Sequence, residues 1–399
     1  MQSFLDSEQG IMDWQTAISN HPELGSALES CLETLEMSLD DSPQLLLVFV
    51  SSQHHGSWSL LGPVLTKRFP GSQVVGCSCA GVVGGGHEVE QGPALVIAAC
   101  DMPGVEFEPI YIGSEESDVD AAIAELAAHP ETPEGLLLLP DPYTTDVHRL
   151  LSEVDSVCRD TAVFGGMASG GREAGDHALF INEKVYRAGC VGVAFRGNVA
   201  IQCLISQGCR PIGDPLFVTR SRGHTVFELD GMPALHAVEH VCKGLYPDDL
   251  TLARKALYMG VAVDEGALVY KGGDFLVRDI IGAMPEGKAL VVAARVREKT
   301  VVQFHVRDAR SAWAELDKLL EEAASDERKP TAALMFSCVG RGQRLFGEPG
   351  HDSRVIRQHF GDLSVAGFFG NGEIGPVGHR TWIHGYTTAL ILFKPAGDA

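Results

Sequence analysis

The sequence predicts an α/β (α+β) chain of mixed, largely antiparallel sheets flanked by helices, built from related strand–helix–strand units in two domains. Three features lead there. An apolar strand, a polar turn, a helix-length stretch, a glycine-punctuated short strand and a closing apolar strand recur in that order three times, as in supersecondary units that bury their apolar faces against one another. Three segments carry apolar residues at helical spacing. The interval between the second and third units consists of short apolar runs between turn residues, the pattern of strands in antiparallel sheets.

Leu24, Leu28, Leu32, Leu35 and Leu39 recur at spacings of four, four, three and four, giving a helix with one apolar face ahead of Pro43. The first unit then runs from Leu45 to Val50, turns at Ser51 to His55, continues through Gly76-Cys77-Ser78-Cys79-Ala80-Gly81 and closes with Ala94 to Cys100. The second uses Leu136 to Leu139, Asp141-Pro142-Tyr143, a helix marked by Val147, Leu150, Leu151, Val154 and Val157, then Phe164 to Gly171, and closes with Gly189 to Phe195. A third helix, through Trp313, Leu316, Leu319, Leu320 and Ala323, precedes the last unit. That unit runs Ala332 to Phe336, Ser337-Cys338-Val339-Gly340-Arg341, Ala366 to Glu373 and Thr388 to Phe393. A cluster of Pro211, Gly213, Pro215, Gly223 and Gly231 suggests a boundary between Arg210 and Gly231.

Composition excludes several partners. In 399 residues, 31 Lys and Arg face 53 Asp and Glu, a formal net charge of −22 that repels nucleic acid and anionic membranes. The first residues lack the basic start and apolar core of a signal peptide, and the apolar runs fall far short of the roughly 20 residues that span a bilayer. Ten scattered cysteines, several within apolar segments, fit a reducing cytoplasm.

The chemical motifs are each incomplete. Gly370-Asn371-Gly372-Glu373-Ile374-Gly375 matches G-x-G-x-x-G, but Pro376 and the β-branched residues beyond it predict a strand where a dinucleotide site needs a helix. His236-Ala237-Val238-Glu239-His240 matches H-x-x-E-H, yet no third zinc ligand is identifiable, so no metal is expected. Cys77-Ser78-Cys79 lacks C-x-x-C spacing and misses the G-x-S-x-G elbow, whereas Cys338 beside Arg341 has a cation near its thiol. What remains is collective: glycine-rich turns at strand ends, whose N–H groups can receive an anion, with Arg341 as a planar fork and Glu373 as a counter-charge.

At these residues the chain resembles the FIST family. Phe336-Ser337-Cys338-Val339-Gly340-Arg341-Gly342 is similar to the family's cysteine and arginine turn, and Ala366-Gly367-Phe368 with Gly372-Glu373-Ile374-Gly375-Pro376 is similar to its Gly-Glu-Ile segment. His384 and Thr387 fit the closing strand, with Gly385 where asparagine is common; Gly76-Cys77-Ser78 and Gly81 fit the N-terminal domain, with Cys79 and Val82 in place of threonine and glutamate. The resemblance implies an N-terminal FIST domain over 1–230, a C-terminal one over 231–399, and a cytoplasmic sensor of an amino acid or related small carboxylate. The ligand is expected in a cleft between the two FIST-like domains, at Cys77, Ser78, Cys338, Arg341, Asn371, Glu373, His384 and Thr387, with no cofactor. Family members are often fused to an F-box, a kinase or a methyl-accepting module, and none of these motifs is present, so the output is expected to be a separate signalling protein. An enzyme using Cys338 or Cys77 for acyl transfer or hydrolysis, a haem-binding sensor, and an interaction scaffold are the rival readings.

Overall fold

The computed structural model describes residues 12–39, 41–264, 266–267, 269–270 and 272–396. The chain divides into two compact units, one of residues 1–205, 319–383 and 387–399, the other of residues 206–318 and 384–386. Residues 230 and 231 sit inside the second unit, in the turn between the strands Thr225–Leu229 and Met232–Pro233.

The larger unit contains three six-stranded sheets of one plan. In each, a first strand lies parallel to a second and antiparallel to a closing strand. The trios are Leu45–Ser51, Gln73–Cys79 and Leu95–Asp101; Gly135–Pro140, Ala162–Gly166 and Cys190–Gly197; and Ala332–Cys338, Ser364–Gly370 and Thr388–Pro395. The parallel pairs need a crossover, and a helix supplies it: Leu61–Arg68, Val147–Val157 and His351–Phe360 respectively. Outside the closing strand each sheet carries an edge strand, Asp13–Ser19, Val105–Ile112 or Val199–Ser206.

The repeats also exchange hairpins. Gly81–Gly84 and His87–Val89 of the first repeat extend the third repeat's sheet; Leu179–Ile181 and Lys184–Tyr186 of the second extend the first; Glu373–Val377 and Arg380–His384 of the third extend the second. Gly76, Gly165 and Gly367 hold the same register, opposite Val48, Leu138 and Met335. A Cβ at any of them would collide with the carbonyl oxygen of that partner. The three glycine-rich segments are therefore equivalent strand ends, and they meet: the Ser169 hydroxyl donates to the Phe369 carbonyl and accepts from the Ala80 N–H at 2.8 Å, while the Met167 N–H donates to the Gly372 carbonyl at 2.9 Å.

The inner faces of the three sheets share one core. Phe49 packs on Phe336 and Phe368 with ring centroids 6.3 and 5.1 Å apart, and Phe393 on Phe164 and Phe195 at 5.9 and 5.5 Å, within the ~4.5–7 Å range of favourable aromatic pairs. Helices cover outer faces. Leu24–Ser38 buries Leu24, Leu28, Leu32 and Leu35, the stripe its spacing predicts, and Val147–Val157 buries Val147, Leu150, Leu151 and Val154 behind an Asp146 N-cap that accepts from the Arg149 N–H at 3.1 Å.

The smaller unit contains a closed antiparallel ring. Cys209–Arg222 pairs with Val301–Arg307, and the ladder continues through Leu257–Ala262, Phe275–Met284, Ala289–Val292 and Thr225–Leu229 back to the first strand. Arg210 to Gly231 lies within this unit, where Gly213 and Pro215 mark a register shift in one long strand. Helix Ala234–Lys243 buries Ala234 and Ala237 in this unit's core and leaves His236, Glu239 and His240 exposed. The strand Asp13–Ser19 was not legible in the sequence, where only the helix precedes Leu45.

Candidate functional site

The richest cluster of buried charge lies where the third repeat's first strand ends. Strand Ala332–Cys338 stops as the Cys338 N–H donates to the Thr387 carbonyl at 3.0 Å and the Val339 N–H to the Gly370 carbonyl at 3.1 Å. The Arg341 N–H then bonds the Cys338 carbonyl at 2.8 Å, a turn that points the arginine into the protein with 0% exposure. Its Nε donates to Asp352 Oδ2 at 2.6 Å and Nη2 to Oδ1 at 3.4 Å, a forked pair, while Nη1 has no hydrogen-bond partner among the described residues.

Asp352 is the hub. It opens helix His351–Phe360, and Thr388 donates its hydroxyl to Oδ2 at 2.7 Å while His351 Nδ1 lies 3.0 Å from Oδ1. Burial works against its charge, but the Arg341 guanidinium and these hydrogen bonds prevail and hold the carboxyl well below its usual range. Phe346 stacks on the His351 ring with centroids 3.5 Å apart and lies under Arg341 at 5.4 Å.

The first repeat's exchanged hairpin brings two more carboxylates. Glu88 accepts the Ser353 N–H at 2.7 Å and Glu90 accepts the Gln343 N–H at 2.8 Å. Gly342, at φ +56°, permits that approach, since a Cβ there would press on the Glu90 carboxylate. Burial, reinforced by the Asp352 charge, pushes Glu88 up to about 7 against the hydrogen bonds from Ser353; burial likewise raises Glu90.

The sequence-selected residues fall into separate groups. Cys338, Thr387 and Glu373 are linked, with Glu373 fully buried and accepting the Thr387 N–H at 3.3 Å through Oε2. Asn371 stands on the exposed turn and donates to the Ala168 carbonyl at 3.4 Å. His384 ends the strand Arg380–His384 and is buried. Cys77 and Ser78 belong to the first repeat's sheet, where the Ser78 hydroxyl accepts the Ala178 N–H at 2.9 Å. Burial, then the neighbouring Cys79 and Cys190, push the Cys77 thiol well above its ordinary value, which disfavours the thiolate there. Gly370–Gly375 leads into the strand Glu373–Val377, as expected, and not into a helix.

Sequence reasoning missed Asp352, Thr388, Glu88 and Glu90. Only Asp352 left a local signal: Gly350-His351-Asp352-Ser353 reads as a helix start before Val355 and Ile356. A second buried pair was also missed. His177 Nδ1 lies 2.9 Å from Asp141 Oδ2 and its Nε2 accepts the Gly171 N–H at 3.1 Å, so both ring nitrogens are engaged in pinning that loop.

Models of the FIST N domain and the FIST C domain match residues 44–232 and 234–376. The chain belongs to the FIST family. FIST domains are sensor domains of signal transduction. An uncharacterized protein of Mycobacterium tuberculosis is 35% identical over 94% of this chain and 98% of its own, and one of Mycobacterium bovis is 35% identical over 92% and 95%. F-box only protein 22 of Homo sapiens is 36% identical over 83 residues, 20% of each chain. A solved cyanuric acid hydrolase aligns over 96% of this chain and 99% of its own at 10% identity, with a TM-score of 0.34, too slight a likeness to bear on function. Among the described residues no helix is long and apolar enough to cross a membrane.

Proposed function

We propose that this FIST protein is a cytoplasmic sensor that binds an amino acid or related small carboxylate without a cofactor and signals through a separate protein. The observation that carries this is the Arg341 guanidinium, fully buried, with Nη1 still lacking a hydrogen-bond partner among the described residues. A buried donor without a partner is costly, and an incoming carboxylate can supply its acceptor. Cys338, Asn371, Glu373 and Thr387 would line the site, with Cys77 and Ser78 as the first repeat's counterpart. Glu88 and Glu90, from the sequence domain 1–230, reach the neighbours of Arg341 in 231–399, which supports a site shared by the two FIST-like domains.

A thermal-shift screen of amino acids and short carboxylates tests this, because a ligand bound only by the folded form adds about 2.7 kcal/mol at a hundredfold excess over Kd. Arg341→Lys should keep the charge beside Asp352 but lose the fork, lowering affinity by roughly tenfold or more. No stabilising ligand in the screen, or equal affinity in Arg341→Lys, would discard the site.

A further inference from the structure

A cavity of about 240 Å³ opens beside helix His351–Phe360, lined by Thr16, Gly85, Gly86, Ser353, Arg357 and Ser364. We infer that it binds a small hydroxylated monocarboxylate, with Arg357 receiving the carboxylate and the wall of serine and threonine hydroxyls meeting the hydroxyl groups. The volume lies below the roughly 300–1,000 Å³ of sites for drug-sized molecules, so the ligand is a smaller one.

Arg357 is seated on the turn between Gly81–Gly84 and His87–Val89. Gly86 has φ +75°, and a Cβ there would collide with the Arg357 guanidinium, so glycine is what lets the arginine lie against the backbone. The nearest carboxylate oxygen, Asp362 Oδ1, is 4.0 Å from Nε on a fully exposed side chain, a contact worth little in water. The fork is therefore open to a second carboxylate in a bidentate arrangement.

The opposite wall supplies hydroxyls. Thr16 Oγ1 and Ser364 Oγ lie 2.8 Å apart. One proton serves the bond between them, so one O–H and several lone pairs remain for a ligand hydroxyl. A single guanidinium flanked by Asp362 favours one negative charge over the two of a phosphate monoester, because the second would meet an unbalanced carboxylate.

This site uses a different arginine from the proposed amino acid site, so either can fail while the other stands. The test titrates the full chain by calorimetry with D-gluconate, and with D-glucose as the uncharged control. Saturable binding of gluconate but not glucose is expected, weakened roughly tenfold or more in Arg357→Gln and less in Thr16→Val. Circular dichroism melting of each variant checks that it is folded. Absence of saturable gluconate binding, glucose binding of equal strength, or an unchanged affinity in folded Arg357→Gln would each overturn the assignment.

Discussion

Burying Arg341 with no exposure dictates its neighbours, because a charge leaves water only where a partner and hydrogen bonds replace the solvent. Asp352 is that partner. Asp352→Ala should cost about 3–5 kcal/mol in urea unfolding, the range for breaking one side of a buried pair, and a loss below about 1 kcal/mol would show that water reaches the arginine. Glu88 gives this cluster a pH signature. Burial raises it from 4.5 to about 7, so between those values the folded chain holds a proton that the unfolded chain has released. Its stabilising contribution is whole below about pH 4.5 and is lost as the pH rises through about 7, by on the order of 1–3 kcal/mol. Asp352, held low, acts in the opposite sense and in another window, losing its contribution as the pH falls below its ordinary 3.8. Unfolding of Glu88→Gln should lack the loss between pH 4.5 and 7; equal slopes for both proteins would rule the carboxyl out. The arginine, Cys338 and Glu373 were legible because glycine-rich turns at strand ends are local patterns. Asp352 and Glu88 were not, since their partners lie eleven and 265 residues away in sequence and no periodicity encodes that pairing.

Gly76, Gly165 and Gly367 show how the repeated element works. Each lies in the second strand of a parallel pair, and each replaces a side chain with room for a neighbouring carbonyl oxygen. Alanine at each should therefore destabilise by a similar amount, about 1–3 kcal/mol or more, as overpacking against backbone does. Gly287→Ala should change little, because the nearest atom its Cβ would meet is 4.0 Å away. If one of the three is as tolerant as Gly287, the equivalence fails for that repeat. The three strand, turn and strand units were legible because their apolar runs are buried on both faces, as the Leu45–Ser51 and Ala332–Cys338 patterns show. The exchange of hairpins was not. Gly81–Gly84 reads as a strand wherever it pairs, and only the folded chain reveals that its partner is Ser364–Gly370. Asp13–Ser19 escaped for a related reason: its burial is partial and does not alternate cleanly, as expected of an edge strand.

The closed ring of residues 206–318 makes a claim about the chain as a whole, because it interrupts the third repeat between the edge strand Val199–Ser206 and the helix Ala309–Ala324. The ring closes because its two long strands each change partner part-way: Cys209–Arg222 pairs first with Val301–Arg307 and then with Thr225–Leu229, and Phe275–Met284 first with Leu257–Ala262 and then with Ala289–Val292. Val218, Val226, Met259, Val292, Phe304 and Val306 form a core of its own under helix Ala234–Lys243. Its entry is anchored as well. Glu315 Oε2 accepts the Gln207 N–H at 2.7 Å, the Gly208 N–H at 3.2 Å and the Ser206 hydroxyl at 3.2 Å. A unit whose strand order closes on itself and whose core is separate satisfies the requirements of an independent domain. A fragment of residues 206–324 should accordingly fold alone, with a cooperative thermal transition and dispersed amide resonances. It would lack Tyr386, whose hydroxyl donates to Asp279 at 2.5 Å and whose ring meets Tyr258 at 4.8 Å, a loss of roughly 1–2 kcal/mol. Restoring those residues as a C-terminal peptide extension should raise the transition temperature. A fragment with no cooperative transition in either form would mean that the ring needs the rest of the chain to fold.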